Sequence, residues 1–229
     1  MLAALDGGGK TVLFTSGSAV VGTFAGGEAS GIVYDEDTVL PLPEAVFAPA
    51  SANVDPRVVA GFGAAMAARI ETEKDVIGAS GVRGIVMRPG LVYGGGGSYD
   101  IPGLIALARA TGAGAHLGSG GTLQGFVHID ELADLYRLAV ERAPGATVLH
   151  GVAGEVSQRD LASAISRLIG AGGRTASFSL EQMFQSAGSV GISASVNKRL
   201  SADKTRMLTG WSPVRADILD DVASGSYAS

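Results

Sequence analysis

Residues 10–15, Lys-Thr-Val-Leu-Phe-Thr, form a short apolar run between glycines and a Ser-Gly-Ser turn, the pattern of a strand buried within a parallel sheet. Residues 84–89, Gly-Ile-Val-Met-Arg-Pro, repeat the pattern, and Pro89 must end that strand because it has no N–H for the ladder. Residues 147–152 give a third strand. Between these runs the apolar period lengthens to that of a helix. Residues 58–76 carry alanines with Met66, Ile70 and Glu73 at helical spacing, behind an Asp55-Pro56 pair that supplies an N-cap and a first-turn proline. A second helix is predicted over 101–111, with Gly112 as its stop. A third spans 130–142, with Asp130 as its cap and Leu132, Leu135, Leu138 and Ala139 as its apolar stripe. Ser157 and Asp160 open a capping-box-like helix start that Gly170 should end, and further short helices are predicted after Ser179, Ser201 and Pro213. Gly26, Gly27, the acidic run Asp35-Glu36-Asp37 and prolines at 41, 43 and 49 make residues 23–55 an extended surface excursion. Residues 94–97 form a glycine-rich turn.

This order of strands and helices predicts an α/β fold. A partial Rossmann-like parallel sheet is expected within residues 1–155, and a small, mostly helical lobe over 156–229, interleaved with the first unit. With 229 residues, 46% of them hydrophobic, the chain is long enough to bury a substantial core. A net charge of −5 argues against nucleic acid or an anionic membrane as partner, because both need a concentrated basic face. No apolar run approaches bilayer length and the opening residues lack a basic start, so a cytoplasmic location is expected. The absence of cysteine removes disulfides and thiolate metal sites. His116 and His150 have no acidic partner at ligand spacing, so no metal is expected.

Five segments then follow one another along the chain. The first strand ends in Phe14-Thr15-Ser16-Gly17-Ser18-Ala19-Val20-Val21-Gly22, and Asp35-Glu36-Asp37-Thr38 comes next. Arg88-Pro89-Gly90-Leu91-Val92-Tyr93-Gly94 and Phe126-Val127-His128-Ile129-Asp130-Glu131-Leu132-Ala133 lie mid-chain. Ser201-Ala202-Asp203-Lys204 with Gly210-Trp211-Ser212-Pro213 lies near the end. In this order they resemble the segments of an extended, atypical short-chain dehydrogenase/reductase of the NAD-dependent epimerase/dehydratase family. The resemblance implies an NAD(P)-dependent epimerase-, dehydratase- or reductase-like protein acting on a small carbonyl, hydroxyl or sugar-nucleotide substrate. It implies that Ser16 and Ser18, with Arg69, serve the chemistry. Ser16, Gly17, Pro89, Gly90, Leu91 and Val92 would pack around NAD or NADP. Arg88, Tyr93 and His128 would lie at the substrate, with a purely internal role as the competing reading for each.

Two departures qualify that picture. No predicted strand is followed by the family's Gly-x-x-Gly-x-x-Gly turn, whose glycines admit a pyrophosphate to a helix N-terminus. Gly7, Gly8 and Gly9 precede a strand instead of following one, and Gly61 and Gly63 lie in a helical pattern without a third glycine. The expectation is therefore a family member without its N-terminal strands and glycine loop, either naturally short or begun at an internal methionine. The family's Tyr-x-x-x-Lys pair is absent too. Alignment through Glu73 puts Ala65 at the tyrosine and Arg69 at the lysine, and a guanidinium can clamp an anion but cannot shuttle a proton. A non-catalytic remnant acting as a binding or oligomeric scaffold is the first alternative. In it the strand at 10–15 is an uncovered edge, so a homodimer or a complementing chain is expected. A hydrolase is the second alternative, without the Gly-x-Ser-x-Gly elbow such an enzyme needs.

Overall fold

The computed structural model describes Leu5 and residues 8–24, 26–40, 56–194, 196–215 and 217–228. At its centre a parallel sheet of three strands has the order β1 (Thr11–Thr15), β3 (Arg83–Pro89) and β7 (Thr147–Gly151). Strand β3 is buried at all but its first residue, as a strand covered on both faces requires. Helix α1 (Pro56–Gly78) precedes β3 and contributes Ile70 and Val76 to the core. A Cβ on Gly84 would stand 1.9 Å from the Val76 carbonyl oxygen, so only glycine lets the end of α1 close on β3. The three predicted strands and the α/β class are thus observed.

Pro89 ends β3 as expected, yet the chain does not leave the sheet region. After Gly90 it resumes as β4 (Leu91–Tyr93), which pairs in parallel with β6 (Leu123–His128), itself antiparallel to β8 (Gly154–Ser157). Strands β5 (Gly114–Leu117) and β9 (Thr175–Phe178) form a parallel pair, and β2 (Thr23–Phe24) and β10 (Val196–Asn197) an antiparallel one. These are short strands without a periodic signature of their own; pairing with distant partners creates them.

Helix α2 (Ile101–Thr111) stops at Gly112, whose φ of 74° is left-handed, as the sequence predicts. Helix α3 (Ile129–Arg142) buries the predicted stripe, but its cap differs. The N-cap is His128, whose Nδ1 accepts the Asp130 N–H at 3.2 Å, while the Asp130 carboxylate takes the Arg215 guanidinium at 2.7 Å. Helices α4 (Gln158–Leu168) and α5 (Leu180–Ala187) start at Ser157 and Ser179 as predicted, the latter with a full capping box to Gln182. Helices α6 (Ser189–Ala194), α7 (Asp203–Thr209) and α8 (Ile218–Ser224) complete the order. Helix α8 starts beyond the position expected from Pro213, because Asp217 is its cap.

Asp55 and the prolines at 41, 43 and 49 lie outside the described residues. The described part of the predicted excursion is tied down rather than free. Glu36 is buried and its carboxylate accepts from the backbone N–H and hydroxyl of Thr205, at 2.8 and 2.7 Å, within the first turn of α7. A carboxylate at a helix N-terminus satisfies an orphan donor and meets the positive end of the dipole. Lys204 pairs with Asp37 beside it. The acidic segment and the Ser-x-x-Lys segment, remote in sequence, are one latch.

Among the described residues three apolar clusters result, the smallest formed by Val12, Val76 and Val86, and two are large. One gathers Ile85, Met87, Leu135, Leu149 and Trp211 about the central sheet; the other gathers Ile101, Leu104, Leu161, Ile165 and Met183 between α2, α4 and α5. Among the described residues no helix is long and apolar enough to cross a membrane.

Candidate functional site

A cavity of about 570 Å³ opens at the carboxyl ends of β1 and β3. That is where ligands bind in open parallel sheets, since the loops leaving adjacent strands diverge there. Ser16, Gly17 and Ser18, in the turn after β1, and Pro89, Gly90, Leu91 and Val92, in the link from β3 to β4, line it together with Arg69 from α1. Residues expected at the chemistry and at the cofactor thus share one wall. A Cβ on Gly90 would stand 2.4 Å from the Gly125 carbonyl oxygen, so the link can run this close to β6 only as glycine.

Arg69 donates to the Ser16 carbonyl at 3.0 Å and so ties α1 to the end of β1. Ala65, one helical turn earlier on α1, also faces the cavity. The Ser16 side chain is buried and its Oγ has no hydrogen-bonding partner among the described residues. A buried hydroxyl left so costs about 1–3 kcal/mol, which a ligand oxygen in the cavity would recover.

The opposite wall holds residues that the sequence did not single out: Tyr99, Asp100, Phe184, Ser193 and Lys198. Asp100 and Lys198 are only 3% and 4% exposed. Lys198 Nζ donates to the Ser193 carbonyl at 2.8 Å and to its hydroxyl at 3.1 Å; Ser193 Oγ in turn lies 3.3 Å from Asp100 Oδ2. Burial lowers the Lys198 amine and raises the Asp100 carboxyl, and each charge partly opposes the shift of the other. The readable signal was a lysine set between the buried Val196 and Leu200. Asp100 reads in sequence as an ordinary helix cap, yet its side chain makes no cap hydrogen bond.

Arg88, Tyr93 and His128, expected at the substrate, do not line this cavity, and each side chain is committed elsewhere. Arg88 is held by Glu73 of α1, with Nε at 3.1 Å from one carboxylate oxygen and an amino nitrogen at 2.6 Å from the other. Tyr93 donates to the Arg215 carbonyl at 3.0 Å, and burial, helped by Asp221, pushes its hydroxyl up to about 12. His128 caps α3 and stacks edge-on against Tyr93 with ring centroids 5.1 Å apart. Each of the three thus has an internal partner, while Arg88 Nη1 is buried without one among the described residues.

The parallel sheet and the helices around it define an α/β fold, one that solved epimerase and dehydratase structures share. Solved structures of that fold superpose on nearly the whole chain. A dTDP-glucose 4,6-dehydratase from Streptomyces venezuelae, solved with NAD, gives a TM-score of 0.65 at 18% identity, covering 98% of this chain and 62% of that one. A human epimerase family protein solved with NADPH gives 0.60 at 22% identity, over 95% and 65% of the two chains. UDP-glucuronic acid 4-epimerase from Bacillus cereus, solved with NAD, gives 0.58 at 17%, over 94% and 60%. No family model matches the sequence. An uncharacterized protein of Schizosaccharomyces pombe is 30% identical over 149 residues, 64% of this chain and 50% of the relative. One of Saccharomyces cerevisiae is 27% identical over 139 residues, 60% of this chain and 46% of the relative. The chain spans about half the length of the curated relatives it matches.

Proposed function

We propose that this chain carries the nicotinamide-and-substrate side of an NAD(P)-dependent reductase- or epimerase-like site, acting on a small carbonyl, hydroxyl or sugar-nucleotide substrate. The observation that carries the reading is the convergence of the Ser16–Ser18 turn and the Pro89–Val92 link on one cavity, at the carboxyl ends of neighbouring parallel strands. The fold it shares with structures solved with NAD and NADPH supports the same reading.

The residues present fit one end of such a cofactor. The unpaired Ser16 hydroxyl can donate to a substrate oxygen, Leu91 and Val92 give an apolar wall, and Arg69 offers a fixed positive charge. No Gly-x-x-Gly-x-x-Gly turn follows a strand to cradle the diphosphate, so this chain's own residues address the nicotinamide end alone. Such a cofactor, once bound, supplies hydride chemistry. On this chain Ser16 orients the reacting oxygen, and Arg69 holds the β1 terminus and an anionic group in place. Ala65 leaves the usual tyrosine position without a proton donor.

That last point favours a second reading, a binding protein that holds the ligand without turning it over. Thermal unfolding with and without NAD(H) and NADP(H) tests the cofactor in either case. A ligand at a hundredfold excess over its dissociation constant stabilises the fold by about 2.7 kcal/mol, a rise of several degrees. The absence of any shift at millimolar concentration of all four nucleotides defeats the NAD(P) reading. A shift without oxidation or reduction of the nicotinamide in the presence of carbonyl substrates selects the second.

A further inference from the structure

Two residues that line the same cavity each carry a buried polar atom without a partner among the described residues: Ser16 Oγ and Asp100 Oδ1. Ser16 belongs to the site as already read. Asp100 does not, and the helix it precedes does not use it, because its side chain caps nothing. Its other oxygen, Oδ2, lies 3.3 Å from Ser193 Oγ, which also accepts from Lys198 Nζ at 3.1 Å. Lys198 is therefore a counter-charge held one hydroxyl away, and two of the lysine's three donors are directed at Ser193. What Asp100 leaves without a partner among the described residues is an acceptor.

We propose that Asp100 is a substrate-recognition residue, whose free carboxylate oxygen accepts a hydrogen bond from a hydroxyl of the molecule in the cavity, with Ser193 and Lys198 fixing the carboxylate in place. This inference rests on the proposed site and narrows its substrate class to a hydroxy-carbonyl compound that is uncharged at its hydroxyl end. An acceptor without a proton cannot meet a ligand carboxylate, and a second negative charge here would face Asp100 in a place shielded from water. Arg69 stands in the same cavity, tied to the Ser16 carbonyl. The apolar neighbours Met66, Leu91 and Phe184 suit the carbon skeleton of such a ligand.

Ligand-observed NMR titration of the whole chain, without nucleotide, tests this with three matched probes. Phenacyl alcohol has the ketone and the hydroxyl, its methyl ether lacks the hydroxyl proton, and phenylglyoxylate replaces the hydroxyl carbon with a carboxylate. The expected result is that phenacyl alcohol binds roughly tenfold or more tighter than its ether, the range for a hydrogen bond to a charged acceptor. In Asp100→Ala the ratio falls to near one while the ether binds as before. Should the single variant unfold because it strands a buried ammonium, Asp100→Ala/Lys198→Met removes both charges and reads the same ratio. Equal binding of alcohol and ether, no binding of the alcohol, tightest binding of phenylglyoxylate, or a ratio that survives the substitution overturns the proposal. The probes need no cofactor, so a lost NAD(P) shift with the alcohol preference intact sinks the cofactor reading alone, and the converse sinks only Asp100.

Discussion

Glu73 of α1 and Arg88 of β3 form a buried ion pair, their side chains 5% and 4% exposed, with the guanidinium bonded to both carboxylate oxygens. It joins the helix to the central strand directly behind the cavity wall formed by Pro89 and Gly90. Removing one partner leaves a charge stranded in the core, whereas removing both leaves a shape that apolar groups can fill. Glu73→Ala is expected to cost about 3–5 kcal/mol in urea unfolding. Glu73→Leu/Arg88→Met is expected to fall within about 1–2 kcal/mol of the parent. Equal losses in the two proteins would mean that the pair is not what joins these elements.

His150 is fully buried on β7, its Nδ1 2.8 Å from the Ser201 carbonyl, and burial pushes its imidazole down to about 4. The folded pKa lies below the unfolded value near 6.5, so between those two the unfolded chain binds the extra proton. Stability from this group is therefore complete above the unfolded value and declines as pH falls from about 6.5 toward 4, by about 3 kcal/mol in all. His150→Asn keeps a donor for Ser201 and removes the titration. Its unfolding free energy should vary less than the parent's across that window; curves of equal slope would contradict the assignment.

Glycine matters at Gly90 through contact and at Gly63 hardly at all. A Cβ at Gly90 meets the Gly125 backbone, and Gly90 N–H donates to the Gly151 carbonyl at 3.1 Å, so neither side can yield freely. Gly90→Ala is expected to cost about 1–3 kcal/mol and to weaken binding in the cavity. Gly63 lies within α1 with nothing near its Cβ position, and Gly63→Ala should gain about 0.5–1 kcal/mol. Denaturant titration of both variants checks the contrast.

Among the described residues β1 pairs with β3 alone, which leaves its other edge without a ladder partner. An unpaired edge is a template for another strand. We propose that a second copy of the chain or a complementing chain covers it. Size-exclusion chromatography with light scattering should give about twice the 23.0 kDa chain mass at micromolar concentration. A soluble monomer there would sink the proposal.

Legibility in the sequence followed the distance over which each feature is decided. The Ser16-Gly17-Ser18 turn and the Pro89–Val92 link are consecutive residues at a strand end, and both reach the cavity as expected. Asp130 looked like a helix cap because an aspartate at that spacing commonly is one, but the side chain two residues earlier, His128, caps the helix by accepting the Asp130 N–H. Arg88 and Tyr93 sit in a motif that reads as functional, and their partners Glu73 and Arg215, 15 and 122 positions away, come into view only in the fold. Asp100 and Ser193 lie 93 positions apart, and no local pattern couples them.

By itself the amino-acid order determined the alternation of strands and helices, the α/β class and the loops at the mouth of the sheet, because apolar period, capping and glycine placement act within a few residues. Only the tertiary structure decided the rest. It paired the short strands, latched Glu36 onto Thr205, buried Lys198 beside Asp100 and left Ser16 and Asp100, which line one cavity, each with an unpartnered polar atom. Burial and hydrogen-bond satisfaction depend on every element packed against a group, and those come from all along the chain.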